Sequence, residues 1–198
     1  MRRTAEEAAQ TRASLMEAAL FLFAEQGIAS ARLADVAQRA GLTRGALYHH
    51  FRDKTDLHTA VMTHTWAAVS DPVWSVLASD APHDERLRGF LTTWLRLLRH
   101  DARFRALLTL TLDGPPDAAA LPGGRAAKAS ALGEWRRELE AFFADADPRP
   151  APAVPPAGAA ADVLAWLCGT ALLAAADPAL LPPDDASGVA PFVRGLLP

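Results

Sequence analysis

Residues 42–51 read LTRGALYHHF, directly after Gly41. On a helical wheel Leu47 and Phe51 fall together and offer two apolar contacts to a core. Gly45 and His49 lie opposite them, and Ala46 and Tyr48 flank that outer face. A helix built only to support a core is rarely this poor in apolar residues. Its first outward turn is small, Thr43 is suited to cap its N-terminus, and Arg44 stands where a helix end meets a partner. The segments on either side decide what such a helix is for.

Upstream, Leu15, Ala18, Ala19, Leu22 and Phe23 repeat at i, i+3, i+4, i+7 and i+8, and Gly27 marks the end of that helix. Leu33, Val36, Ala37 and Ala40 form a shorter helix that Gly41 ends. Two short helices joined by a glycine-containing turn make a helix-turn-helix, whose second helix can enter a DNA major groove. Gly45 and Ala46 would then let the backbone approach base edges. Arg44 could reach guanine, and Thr43, Tyr48, His49 and His50 carry donors suited to phosphate. Lys54 adds a cation at the start of a fourth helix. Each residue alone also fits a solvated surface; their grouping on one short helix favours DNA.

The rest of the chain has helical periodicity and no convincing strand alternation. The fourth helix, from Lys54 to about Ser70, has two apolar faces: Leu57, Ala60, Val61 and Ala68 on one, Met62, Trp66 and Val69 on the other. Such a helix is packed on both sides and would join two units. The segments 113–124 and 147–158 read as a loop and a proline-rich linker. Helices are expected over about 124–145, 158–176 and 187–197. The run 163–176 is apolar nearly all round, so it is either central to a core or shared with a second subunit; its small residues Ala165, Gly169, Ala171 and Ala174 favour close helix approach.

The chain has 198 residues, 51% of them hydrophobic, and a net charge of -3. Counted along the sequence, residues 1–60 hold eight Lys/Arg and seven Asp/Glu, and residues 61–198 hold twelve and sixteen. The slight N-terminal excess of positive charge is compatible with nucleic-acid contact there. Cys168 is the single cysteine, so no internal disulfide forms. The N-terminus has no apolar leader, and the fourteen-residue apolar run is short for a bilayer, so the expectation is a cytoplasmic protein without membrane contact. No metal-spaced cluster, glycine-rich phosphate loop or partnered nucleophile is evident. The expectation is therefore no catalytic site, no metal and no cofactor, with a helical enzyme as a remote alternative.

The stretch from Thr11 to Leu57, and above all GLTRGALYHHFRDK (residues 41–54), resembles the DNA-binding domain of the TetR family of transcriptional repressors. The opening MRRTAEEAAQTR and the later DARFRALL (101–108) resemble the branch that represses multidrug efflux pumps. The resemblance implies an all-α homodimer with an N-terminal helix-turn-helix domain, residues 1–53, and a C-terminal ligand-binding and dimerisation domain, residues 54–198. It implies DNA contacts from Thr43, Arg44, Gly45, Ala46, Tyr48, His49, His50 and Lys54, with a structural role in the turn into the fourth helix as the alternative for His50. Where the family often has a Thr pair, this chain has Ala31 and Arg32; Arg32 is a candidate phosphate contact and Ser30 a candidate cap. Phe21 stands at a position usually polar. It is either an extra contact to the C-terminal domain or an exposed aromatic.

The function implied is a repressor that binds a palindromic operator as a dimer and is released by a small apolar or aromatic effector. A regulator with a protein partner, or with no small-molecule effector, is the alternative. Pocket candidates are Trp66, Leu91, Trp94, Leu98, Leu108, Leu112, Trp135 and Leu167, each also a plausible core residue. Dimer-interface candidates are Leu132, Leu139, Phe143, Leu164, Ala171 and Ala174.

Overall fold

The computed structural model describes residues 5–112, 124–145 and 154–197, and among these every regular element is helical. Helix α1 spans Ala5–Gln26, α2 Leu33–Arg39, α3 Arg44–His50 and α4 Lys54–Thr65. A π-helical turn, Trp66–Ser70, carries α4 into a short α5, Asp71–Trp74. Then come α6 (His83–His100), α7 (Ala102–Leu112), α8 (Gly124–Ala144), α9 (Pro156–Ala176) and α10 (Ala186–Leu196). Residues 113–123 and 147–153, read from sequence as loop and linker, lie outside the described residues. The end of the second segment is helical: Pro156 opens α9, where a missing N–H costs nothing.

Local sequence explains the N-terminal breaks. Gly27 and Gly41 have φ of 77° and 69°, a conformation that glycine alone adopts without strain. At Gly41 the turn is a Schellman motif: the Gly41 N–H donates to the Gln38 carbonyl and the Leu42 N–H to that of Ala37. Thr43 Oγ1 accepts from the Ala46 N–H at 3.2 Å and caps α3. Asp53 caps α4 by accepting from the Asp56 N–H, while the Asp56 carboxylate reaches back to accept from the Arg52 N–H. The cap expected from Ser30 is not formed: the N-cap of α2 is Arg32, with no side-chain bond.

Two apolar clusters hold the chain together. The first joins Leu15, Ala19, Phe23, Val36, Leu47 and Phe51 with Leu57 and Val61 of α4. The second is built from α6, α7, α8, α9 and α10 around Phe90, Trp94, Leu139 and Leu167. Trp94 ties its layers: the indole Nε1 donates to Thr170 Oγ1 of α9 at 3.0 Å, so its polar edge is satisfied in the dry interior.

Trp66 packs against both clusters, in line with a two-faced α4, although Ala68 is exposed rather than part of a face. The larger seam was not legible in the sequence. Helix α7 sends Ala106 and Leu107 into the first cluster and Phe104 and Leu108 into the second. Arg103 of α7 also pairs with Glu17 of α1. Phe21 packs on the first cluster beneath Arg39, whose guanidinium lies 5.7 Å from the ring centre and pairs with Glu25.

Helix α9 is longer than its apolar run suggested: at 21 residues it is long and apolar enough to cross a bilayer by length and composition. Its inner residues Ala160, Val163, Leu167, Thr170 and Ala174 are buried against the rest of the protein.

Candidate nucleic-acid interface

Leu47 and Phe51 are buried and anchor α3, and Arg12 of α1 lies over the Phe51 ring at 4.9 Å. Fixing those two residues fixes what faces out. Thr43, Arg44, Gly45, Tyr48 and His49 are exposed, while Ala46 and His50 are half-buried. Tyr48 is 46% exposed, unusual for so large a ring. It is held by Arg44: a guanidinium N–H donates to the Tyr48 hydroxyl at 3.3 Å, and the guanidinium carbon lies 5.4 Å from the ring centre. The pair presents a cation and a phenol from successive turns of α3, with Arg44 in the first turn, where recognition helices meet bases.

Gly45 is open to the outside. A Cβ built there would meet only Thr43 Oγ1, at 3.9 Å. Nothing in the protein's own packing requires a glycine at that helical position. The His50 ring lies edge-on to that of His49 and tilted against that of Phe51, with centroids 5.8 and 6.4 Å apart.

One of the basic residues behaves differently from the sequence reading. Lys54 does not extend into solvent: its ammonium donates to the carbonyls of Ile28 and Ala29, each at 2.8 Å, and so fastens the α1–α2 turn to the start of α4. Arg32 is exposed at the N-cap of α2. Arg52, which sequence reasoning passed over, is 88% exposed in the turn after α3, tethered only loosely to Asp56 at 3.8 Å. A lone arginine beside the recognition helix was the available signal.

The pocket and dimer candidates are redistributed. Trp66 and Trp94 each pack edge to face on Trp135, with centroids 5.4 and 5.9 Å apart, and Trp74 packs on it at a tilt. Leu91, Leu98 and Leu167 are fully buried core. A pocket of about 290 Å³ instead lies between α7, α8 and α9. Of the candidates only Leu108 and Leu112 line it, joined by Thr109, Lys128, Leu132, Cys168, Ala171, Leu172 and Ala175. Burial pushes the Cys168 thiol up.

Among the dimer candidates, Leu139, Phe143, Ala171 and Ala174 are buried within the protomer and Leu132 and Leu164 are half-buried. The outward stripe of α9 is Ala161, Ala165, Gly169, Leu172 and Ala176, with Leu173 beside it. Among the described residues no group of three or more His, Cys, Asp or Glu is arranged to hold a metal.

A three-helix unit with a glycine turn, a capped third helix and an exposed Arg–Tyr pair is the architecture of a helix-turn-helix DNA-binding regulator. Residues 15–61 match the model of the bacterial regulatory proteins, tetR family. This N-terminal domain belongs to that family.

The HTH-type transcriptional regulator AcrR of Shigella flexneri is 47% identical over 60 residues, which is 30% of this chain and 28% of that protein. The probable acrEF/envCD operon repressor of Escherichia coli (strain K12) is 33% identical over 111 residues, 55% of this chain and 50% of that one. The matches thus span half or less of these curated relatives' length. The likeness extends further in three dimensions. The crystal structure of NalD, the secondary repressor of the MexAB-OprM multidrug efflux pump in Pseudomonas aeruginosa, superimposes with a TM-score of 0.74 at 26% identity, over 96% of this chain and 98% of that one.

Proposed function

We propose that the protein is a dimeric, non-enzymatic transcriptional repressor in the cytoplasm, which binds a palindromic operator and releases it when a small effector occupies the C-terminal half. The observation that carries this reading is the outer face of α3. Its two apolar residues are buried in the first cluster, and the residues left outside are a cation, a phenol, an imidazole and a glycine with no role in the protein's own packing. Arg44 and Ala46 read base edges. The Thr43 and Tyr48 hydroxyls, His49, Arg32 and Arg52 meet phosphates.

A second copy would supply the matching half-site. The exposed stripe of α9 supports this, because Leu172 is 61% and Leu173 40% exposed, and a Cβ at Gly169 would meet nothing in its own protomer. Two recognition helices on a two-fold axis then sit about one DNA turn apart or a multiple of it. The relatives named as repressors of efflux systems favour negative control.

Release works by linkage: an effector acts only through a difference in affinity between the operator-ready state and another. Helix α7 supports the route, since one face borders the pocket and the other packs on the DNA-binding cluster.

The test is Tyr48→Ala in a protein shown to remain folded and dimeric. Fluorescence anisotropy on a cognate duplex should show operator binding reduced to the non-specific level. Binding at wild-type strength would overturn the docking of α3.

A further inference from the structure

The pocket between α7, α8 and α9 differs from the tryptophan cluster in holding a cation. Its walls are mostly aliphatic, from Leu108, Leu132, Ala171 and Leu172. At its edge stands Lys128, whose ammonium donates to the Leu112 carbonyl at the end of α7. Among the described residues no aspartate or glutamate lines the pocket and Lys128 makes no ion pair. The Leu112 carbonyl takes one of its three N–H donors. The Thr109 hydroxyl proton is already committed to the Arg105 carbonyl at 3.0 Å, so toward the pocket that oxygen can only accept. Its volume of about 290 Å³ falls at the small end of ligand pockets, about 300–1,000 Å³.

An aliphatic chamber with an ammonium at its rim discriminates by head group. A hydrocarbon gains the burial alone, and an alcohol adds only neutral hydrogen bonds to Lys128 or to the Thr109 oxygen. A cationic amphiphile meets Lys128 as a like charge. An amphipathic anion gains both burial and pairing. We infer that this pocket binds small amphipathic carboxylates, with the head group on Lys128 and the apolar body against Leu108, Leu132 and Leu172. The inference rests on the effector reading only for its consequence at the operator; the binding itself is independent of DNA.

Octanoate, octanol and octylammonium share one chain and differ in head group, so they serve as probes. Cys168 lines the same pocket and is the only cysteine in the chain, so its alkylation by iodoacetamide reports occupancy at that place. Octanoate should slow alkylation of the full-length protein at a concentration where octylammonium does not. Its calorimetric Kd should be about fivefold lower than that of octanol, the factor a partly exposed ion pair supplies. Lys128→Met should abolish this preference while octanol binding stays the same. Ala175→Trp, at an exposed position on the rim, should block all three probes without lowering the melting temperature.

Equal protection by octanoate and octylammonium, or an octanoate preference that survives Lys128→Met, would overturn the assignment. A protein that binds its operator but shows no anion preference would overturn this site and leave the regulator reading standing. Octanoate bound in the pocket of a folded dimer that recognises no duplex would do the reverse.

Discussion

Replacing Gly45 by alanine separates what the fold needs from what DNA needs. Gly45 is the second residue of α3, and a Cβ there would stand in ordinary contact with Thr43 Oγ1 at 3.9 Å. The isolated protein should therefore accept the methyl group. Alanine in a helix interior is favoured over glycine by about 1 kcal/mol, and near a helix end roughly half of that is expected. For a chain of this length, about 0.5 kcal/mol corresponds to a rise of about 1–2 °C in Tm. The same methyl projects from the face that meets the bases. Losing one well-fitted base contact costs about 1–3 kcal/mol, roughly a fivefold to 150-fold weaker Kd. Urea unfolding with an unchanged slope would report the first effect, and anisotropy at fixed salt the second. Opposite signs are expected: a more stable protein that binds its operator less well. A stabilised variant with undiminished affinity would refute the close approach of α3 to base edges.

Three further outcomes follow from other contacts. Lys54→Met should lower stability by about 1–3 kcal/mol, because two carbonyls lose a charged donor, and should weaken DNA binding mainly through the loosened α1–α2 turn. Unchanged stability with a salt slope reduced by about one would instead mark Lys54 as a phosphate contact. Leu107→Ala, at a fully buried position in the α1–α7 seam, should cost about 2–5 kcal/mol in chemical denaturation; a loss under 1 kcal/mol would mean that the seam adapts freely.

Burial also holds the imidazoles of His58 and His83 below their usual range, with Arg86 adding to the effect at His83. Their neutral forms are favoured by folding, so the unfolded chain takes up protons first as pH falls. Stability should be full above the unfolded value near 6.5 and decline as pH drops from there through the lowered folded values. His58→Phe should flatten part of that decline in melting curves between pH 7.5 and 5; an unaltered profile would show that His58 plays no part in it.

Much of the DNA-binding half could be read from sequence because its signals are local. Gly27, Gly41, Thr43 and the Leu47/Phe51 pair each act within a few residues, and each acts in the structure as its type requires. Lys54 shows the limit. Its charge is visible in sequence, but its partners, Ile28 and Ala29, lie 26 and 25 residues away. In the C-terminal half the difficulty is phase. Helix α9 is apolar nearly all round, so periodicity could not say whether Ala171 or Leu172 turns inward; the structure buries the first and exposes the second. Large, flat and apolar, the tryptophans suit a pocket wall and a core alike. The same properties let Trp66, Trp94 and Trp135 fill space against each other, and the cavity formed instead where smaller side chains of α7, α8 and α9 meet. Helix α7 reads as one more amphipathic stripe, and its service to both clusters depends on where α1 lies.

The most direct test of sequence-specific DNA recognition is selection of duplexes from a random library by the purified full-length protein, run beside Tyr48→Ala. The account predicts an enriched palindrome bound by dimers, with affinity falling steeply as salt rises, and no enrichment by the variant. A folded, dimeric wild-type protein that enriches no sequence, or a variant that enriches the same palindrome, would contradict it.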